Sequence, residues 1–413
     1  MMAEKSRGLK TVFFGILIVM LALIPGLAGA EKPIKIGLID VYSGAGAAFG
    51  KPALNGWKMA VDEFNEKGGL NGRKIELIVR DDKFKPDEAL SHARELVIKE
   101  RVDFLAGTTN SSCALAVSDF AKKNKKLFMV SISRSHRITG EKGHEYIFRG
   151  CPSADLECLA GGIYAASKPF KRWLIIGEDY EYGHSAAENF WKGLASHKKD
   201  VEKVGEIWIK LGETDYTSYL TSAMSQKPDA VCIAFGASGL VPFVKQANLF
   251  GLFDKIPVFA FGLADSVFAK ALGKDMPINV YGGSNYLWYY PATPANKVFV
   301  EKTKKLFDDS YPTGIGLFGG YSSAKFLTEA ILKAGSVDTQ KVIQALEGLT
   351  IQTVIGPITM RGCDHQAITP TFWGKLENVS GFPFPVIKEI VITSAEKVMP
   401  TCQEIAELRK AAK

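Results

Sequence analysis

Beyond residue 33 the chain alternates between short β-rich runs and helical periodicity, and that alternation restricts the fold more than any other feature. Ile34–Asp40 is a β-rich apolar run. Trp57, Ala60, Val61 and Phe64 follow at i, i+3, i+4 and i+7, one face of a helix. Lys74–Arg80 reads as a second strand, and Pro86 with Leu90, Ala93, Arg94 and Val97 as a second helix. Phe104–Ala106, Ala114–Lys123 and Leu127–Ser131 extend the order strand, helix, strand. Strands joined through helices run parallel and need cover on both faces, so the rhythm predicts a doubly wound α/β sheet. It restarts after Arg149, with strands at Trp173–Gly177, Val204–Lys210, Ala230–Phe235 and Pro257–Phe261 and helices between them. Helices at Ala295–Asp308, Gly320–Lys333 and Thr339–Leu346 come next, then a β-rich stretch over 351–395. With 413 residues, 46% of them apolar, the chain has core material for two such units. Two sheets facing each other across the carboxyl ends of their strands leave a cleft that hinge motion can close.

The first thirty residues stand apart. Lys5, Arg7 and Lys10 precede the apolar run Thr11–Ile24, which Pro25 and Gly26 break, and Ala28-Gly29-Ala30 follows. This is the order of a secretory signal peptide; a membrane span would need ~18–20 apolar residues. Cleavage after Ala30 leaves Glu31 at the new terminus, with no Cys for a lipid anchor, so a free periplasmic protein is expected. The formal charge is +7, but the basic residues are scattered or sit in short clusters such as Lys122-Lys123. Solvated helix faces account for these, and no nucleic-acid partner is expected. Neither CxxC nor HExxH occurs, so neither a metal nor a cofactor is expected. In an oxidising compartment some of the six cysteines should pair. Cys363–Cys402 is the expected disulfide and Cys151–Cys158 a second candidate, since spacing alone leaves connectivity open.

Four loops just past strands invite function. Ser43–Gly50 has GxGxxxG spacing, which serves either a nucleotide or a tight turn that brings backbone close to a ligand. Gly107–Cys113 offers hydroxyls that cap the next helix, or with its amides form an anion seat for a carboxylate. Ser131–Ser135 can present hydroxyls and Arg134 to the same cleft. Asp179–Gly183 carries Tyr180 and Tyr182, each able to lay a ring over a ligand or simply to pack. Catalytic patterns are thin: GxSxG is absent, and Cys113 has no His with motif support. Asp81-Asp82 reads as a solvated turn or helix cap. The chain is expected not to be an enzyme.

Several stretches together resemble a known family: IKIGLIDVYSGAGAAFG, ALNGWKMAVDEFNEKGGLNGRKIELIVRDDKFKPDEAL, LAGTTNSSCALAV, EDYEYGHS, ALEGLT and CDHQ. From Ile34 to about Cys402 the sequence is similar to type I periplasmic binding proteins of the Leu/Ile/Val branch, the solute receptors of ABC importers. The resemblance implies two doubly wound parallel-sheet lobes, a venus flytrap with three hinge crossings. Lobe one would be 31–150 plus 283–357 and lobe two 151–282 plus 358–400, with 401–413 a C-terminal tail. It implies a carboxylate seat at Ser111 and Ser112, further contacts at Ser133 and Ser135, a ring at Phe49, and a closing Tyr182. It also implies a monomer that delivers its ligand to a membrane permease.

One departure matters. Amino-acid binders of the family hold the ligand ammonium with an acid near 257–261, where this chain has Phe261; a short shift would bring Asp265 instead. A buried ammonium without an anion is costly. Tyr286–Tyr290 and Phe318 suit a flatter, more apolar guest, so the expected ligand is an amino acid or another small organic acid, aromatic or aliphatic. The competing expectation is a ligand-sensing regulatory module on the same fold.

Overall fold

A computed structural model describes residues 32–44, 46–236, 239–278, 280–308 and 310–412; the expected signal peptide lies outside them. The first half of the described chain runs β1 (Ile34–Asp40), α1 (Ala47–Glu66), β2 (Ile75–Asp81), α2 (Pro86–Ile98), β3 (Phe104–Gly107), α3 (Ser111–Lys123), β4 (Phe128–Val130) and β5 (Ile147–Arg149). These five strands form one parallel sheet, ordered β2-β1-β3-β4-β5. The chain then crosses over. A π-helical turn (Asp155–Leu159) leads into α4 (Ala160–Ala166), β6 (Arg172–Asp179), α5 (Glu181–His197), β7 (Glu202–Lys210), α6 (Thr217–Ser225) and β8 (Ala230–Ala234). Next come α7 (Leu240–Leu249), α8 (Leu252–Lys255), β9 (Val258–Phe261), α9 (Ser266–Leu272) and β10 (Tyr281–Ser284). The order β7-β6-β8-β9-β10 repeats that of the first sheet. In each sheet the order reverses between its first and third strands, the place where doubly wound sheets bind ligands.

After β10 the chain returns to the first lobe through α10 (Pro294–Leu306), a second π-helical turn (Ile315–Ser322), α11 (Ser323–Ala334) and α12 (Thr339–Leu346). An antiparallel trio follows, β11 (Thr350–Thr353), β12 (Gly356–Met360) and β13 (Ala367–Ile368). Next, β14 (Thr371–Glu377), β15 (Val386–Ile387) and β16 (Val391–Thr393) extend the second sheet with antiparallel strands beside β10. The lobe exchanges therefore fall later than 283 and 358. β10 pairs with β9 through Gly283, and Ile351, Ile358, Met360 and Ala367 are buried in the core of lobe one with Ile36 and Phe104. The stretch 351–395 looked uniformly β-rich, but it serves one lobe and then the other.

The C-terminal residues form a helix rather than a bare tail. α13 (Cys402–Ala411) has a capping box between Thr401 and Glu404 and returns toward lobe one. Its Arg409 donates to the carbonyls of Thr139 at 2.9 Å, Gly140 at 3.1 Å and Cys363 at 3.2 Å. A disulfide joins Cys363 to Cys402, with Cα atoms 5.7 Å apart. Cys151 and Cys158 are not paired: both are buried thiols, one in the core of each lobe.

Close packing fixes α1 against the second π-helical turn within lobe one. A Cβ on Gly56 would come 2.3 Å from the Gly316 carbonyl and 2.9 Å from the Gly320 Cα. Only glycine lets these two backbones touch. Among the described residues no helix is long and apolar enough to cross a membrane.

Candidate functional site

A cavity of about 60 Å³ lies between the lobes, lined by Phe49, Thr109, Ile132, Arg134, Tyr180, Tyr182, Phe235, Gly236, Phe261, Gly262, Asp265, Phe268 and Ile315. Most of these residues follow the carboxyl end of a strand: Thr109 after β3, Ile132 and Arg134 after β4, Tyr180 and Tyr182 after β6, Phe235 and Gly236 after β8, and Gly262 and Asp265 after β9, which ends on Phe261. The fold thus gathers them without any contribution from loop sequence similarity.

Arg134 is the cationic centre. Its Nη1 contacts Glu157 Oε1 in a tight ion pair and lies 3.5 Å from Asn285 Oδ1. Its guanidinium carbon sits 5.5 Å from the centre of the Phe261 ring. Among the described residues no hydrogen bond engages its Nε or Nη2, which leaves one edge of the fork for a guest. Burial pushes the Glu157 carboxyl up to about 8, and Arg134 and Arg149 pull it back only in part.

The two acids beside the cavity are already committed. Asp265 caps α9: Oδ1 accepts from Val267 N at 3.0 Å and Oδ2 from Gly314 N at 2.9 Å. Burial raises it to about 6. Asp40 accepts from the Thr109 hydroxyl at 2.6 Å, and burial followed by repulsion from Asp82 raises it to about 8. Asp265 lines the cavity with one backbone amide on each oxygen, whereas Asp40 lies outside the lining.

Of the residues expected here, Phe49, Tyr182 and Phe261 line the cavity. The serines do not; the hydroxyls of Ser111, Ser133 and Ser135 bond within the protein. Ser111 Oγ accepts from the amides of Arg134 at 3.2 Å and Ser135 at 3.1 Å. Ser112 gives its amide to the cap at Asn110. Ser133 Oγ lies 2.9 Å from the Thr108 carbonyl and 3.0 Å from that of Asn110. Ser135 Oγ donates across the cleft to Glu181 at 2.6 Å. Phe318 is fully buried in lobe one, because the π-helical turn directs Ile315 to the cavity instead. Tyr286 and Trp288 likewise pack in and against the core of lobe one. Arg134 stood in a loop singled out from the sequence; Phe268 and Ile315 carried no such signal.

Ser111 is therefore a positioning residue for Arg134. Ser111→Ala orphans two buried amides, and chemical denaturation should show a loss of about 1–3 kcal/mol, with affinity reduced through a loosened Arg134. Weaker binding at unchanged stability would instead put the hydroxyl on the ligand.

Contacts across the cleft hold the lobes together. Arg137 Nη1 meets Glu181 Oε2 at 3.2 Å, and the Ser185 hydroxyl accepts from His136 N at 3.1 Å. Phe49 of α1 meets Phe268 of α9 with ring centres 5.3 Å apart. No group of His, Cys, Asp and Glu among the described residues could hold a metal ion.

Comparison with known proteins agrees with this architecture. The family model for periplasmic binding proteins matches residues 33–380. A Leu/Ile/Val-binding protein of Rhizobium johnstonii is 30% identical over 350 residues, covering 83% of this chain and 90% of the relative. The leucine-specific-binding protein of Salmonella typhimurium is 25% identical over 391 residues, covering 93% and 97%. A solute-binding protein of an ABC transporter from Rhodopseudomonas palustris, solved with 3,4-dihydroxybenzoic acid, superposes with a TM-score of 0.79 at 27% identity, covering 89% of this chain and 99% of that one. The paired 2-1-3-4-5 sheets, the cavity at their facing strand ends and these matches place the chain in the periplasmic binding protein family.

Proposed function

We propose that this solute-binding protein of an ABC transporter captures a small carboxylate with an aromatic or apolar body, and passes it to a membrane permease. The observation that carries the reading is the Arg134 guanidinium, with one edge unengaged, set among Phe49, Phe235, Phe261, Phe268, Tyr180 and Tyr182. A carboxylate on that edge gains two charge-assisted bonds, and the rings take up its apolar body. The relative solved with a dihydroxybenzoic acid supports the same class.

The mechanism is capture by closure. An open cleft would expose Arg134 on lobe one; closing brings Tyr180, Tyr182 and Phe268 over the guest and excludes water. Export of the chain and cleavage after Ala30 belong to the same proposal, as do the monomeric state and the absence of catalysis.

Thermal-shift measurements with benzoate, 3,4-dihydroxybenzoate and leucine test the ligand class. The two benzoates should each raise Tm by several degrees, since a ligand at 100 Kd stabilises by about 2.7 kcal/mol. Stabilisation by leucine alone would return the site to amino acids, with Asp265 as the partner of the ammonium.

A further inference from the structure

A second cavity, about 580 Å³, opens on the outer side of the first. Its walls come from the face of α1 bearing Ala48, Pro52 and Asn55, from Val267 and Ala269 on α9, and from Phe299 and Thr303 on α10. The lining residues of the two cavities interleave along the chain. Ala48 faces out where Phe49 faces in, Val267 and Ala269 out where Phe268 faces in, and Gly316 out where Ile315 faces in. Phe49 and Phe268, whose ring centres lie 5.3 Å apart, line the inner cavity beside chain neighbours that line the outer one.

Two further facts bear on this arrangement. The two rings belong to opposite lobes, so opening the cleft parts them and the cavities run together. Thr303, which lines the outer cavity and is 8% exposed, buries a hydroxyl that has no hydrogen-bond partner among the described residues. The inner cavity alone, at ~15 Å³ for each water, has room for about four waters, far below the ~300–1,000 Å³ of ordinary ligand sites. The outer one falls within that range.

We infer that the two cavities form one binding channel across the Phe49–Phe268 pair, made for a carboxylate that carries an extended apolar tail. The inference rests on the carboxylate reading above. The anion sits at Arg134, the tail passes between the two rings, and its far end lies along α1, α9 and α10 beside the Thr303 hydroxyl. A short acid would fill only the inner part.

Calorimetry with benzoate as the short probe, and 4-phenylbutyrate and decanoate as long probes, tests this. The long acids should bind at least about tenfold more tightly than benzoate, from the extra methylenes buried. Ala48→Trp and Ala271→Trp place bulk in the outer cavity from exposed positions on opposite lobes. Each should weaken the long acids about tenfold and leave benzoate within about twofold. Equal affinity for benzoate and the long acids, or equal weakening of both by the Trp variants, would overturn the channel and leave the carboxylate reading intact. Failure of all three acids to bind would strike the carboxylate reading itself, and the channel with it.

Discussion

Arg134→Met is expected to reduce carboxylate affinity by about two to four orders of magnitude, because two hydrogen bonds to a charged group are lost at ~1.5–3 kcal/mol each. Calorimetry with benzoate reads this directly; affinity within threefold of wild type would remove Arg134 from the site. The same change leaves the Glu157 carboxyl buried without its cation, so it either keeps a proton or, where it must ionise, destabilises the fold by up to about 3–5 kcal/mol. The pH dependence separates the two effects. The folded Glu157 carboxyl is raised from 4.5 to about 8, so the folded state keeps a proton that the unfolded chain releases between those values. Stability from this group is therefore full below about pH 4.5 and declines as pH rises toward 8. Without Arg134 the carboxyl moves higher still, and the decline continues into more alkaline solution. Adding Glu157→Gln should flatten the decline and recover much of the stability while recovering none of the binding. Recovery of both would mean that Arg134 only supports Glu157.

Loss of the Cys363–Cys402 disulfide should be the largest purely structural effect. It spans 39 residues, and a closed loop of that size is worth about 4 kcal/mol in the chain-entropy account. Denaturant midpoints of Cys402→Ser, compared with wild type under oxidising and reducing conditions, measure it. Wild type under reduction should coincide with the variant. The consequence reaches the site through α13, where Arg409 braces Thr139 and Gly140, in the loop that begins at Arg134. Arg149 braces the same loop from below, donating to the carbonyl of Ser135 at 2.6 Å and to the hydroxyl of Thr139 at 2.7 Å. Ligand affinity in Cys402→Ser should therefore fall severalfold. A destabilised variant with unchanged affinity would show that the brace does not matter to binding.

The sheets were legible because buried parallel strands leave continuous apolar runs, and β1 falls where the first such run predicted it. β5 was not read, since three residues carry no period. At the site, Tyr182 was legible in a loop just past a strand, whereas Phe49 and Phe261 came from the family resemblance. The serines lie outside the cavity lining for a physical reason. A hydroxyl beside a strand end can face a ligand or turn back to a nearby amide, and the spacing of Ser111 and Ser133 is the same in both cases. Arg134 was visible in its loop, but nothing local states that its fork points across the cleft to a residue on the other lobe. Phe318 was misplaced because a π-helical turn shifts the facing residue, and the sequence around Gly319-Gly320 reads equally well as an ordinary helix.

Neither lobe is a continuous piece of the chain. The first sheet is complete by Arg149, yet its core waits for Leu317, Leu327, Ile343 and Met360. The second sheet is not finished until β14, β15 and β16 arrive. A ribosome or a translocation pore that had delivered only the first 290 residues would hold two exposed half-cores and no stable lobe. Contacts so distant in sequence also slow folding, because the loop must close before the contact repays it. Both cores close with residues from the last third of the chain.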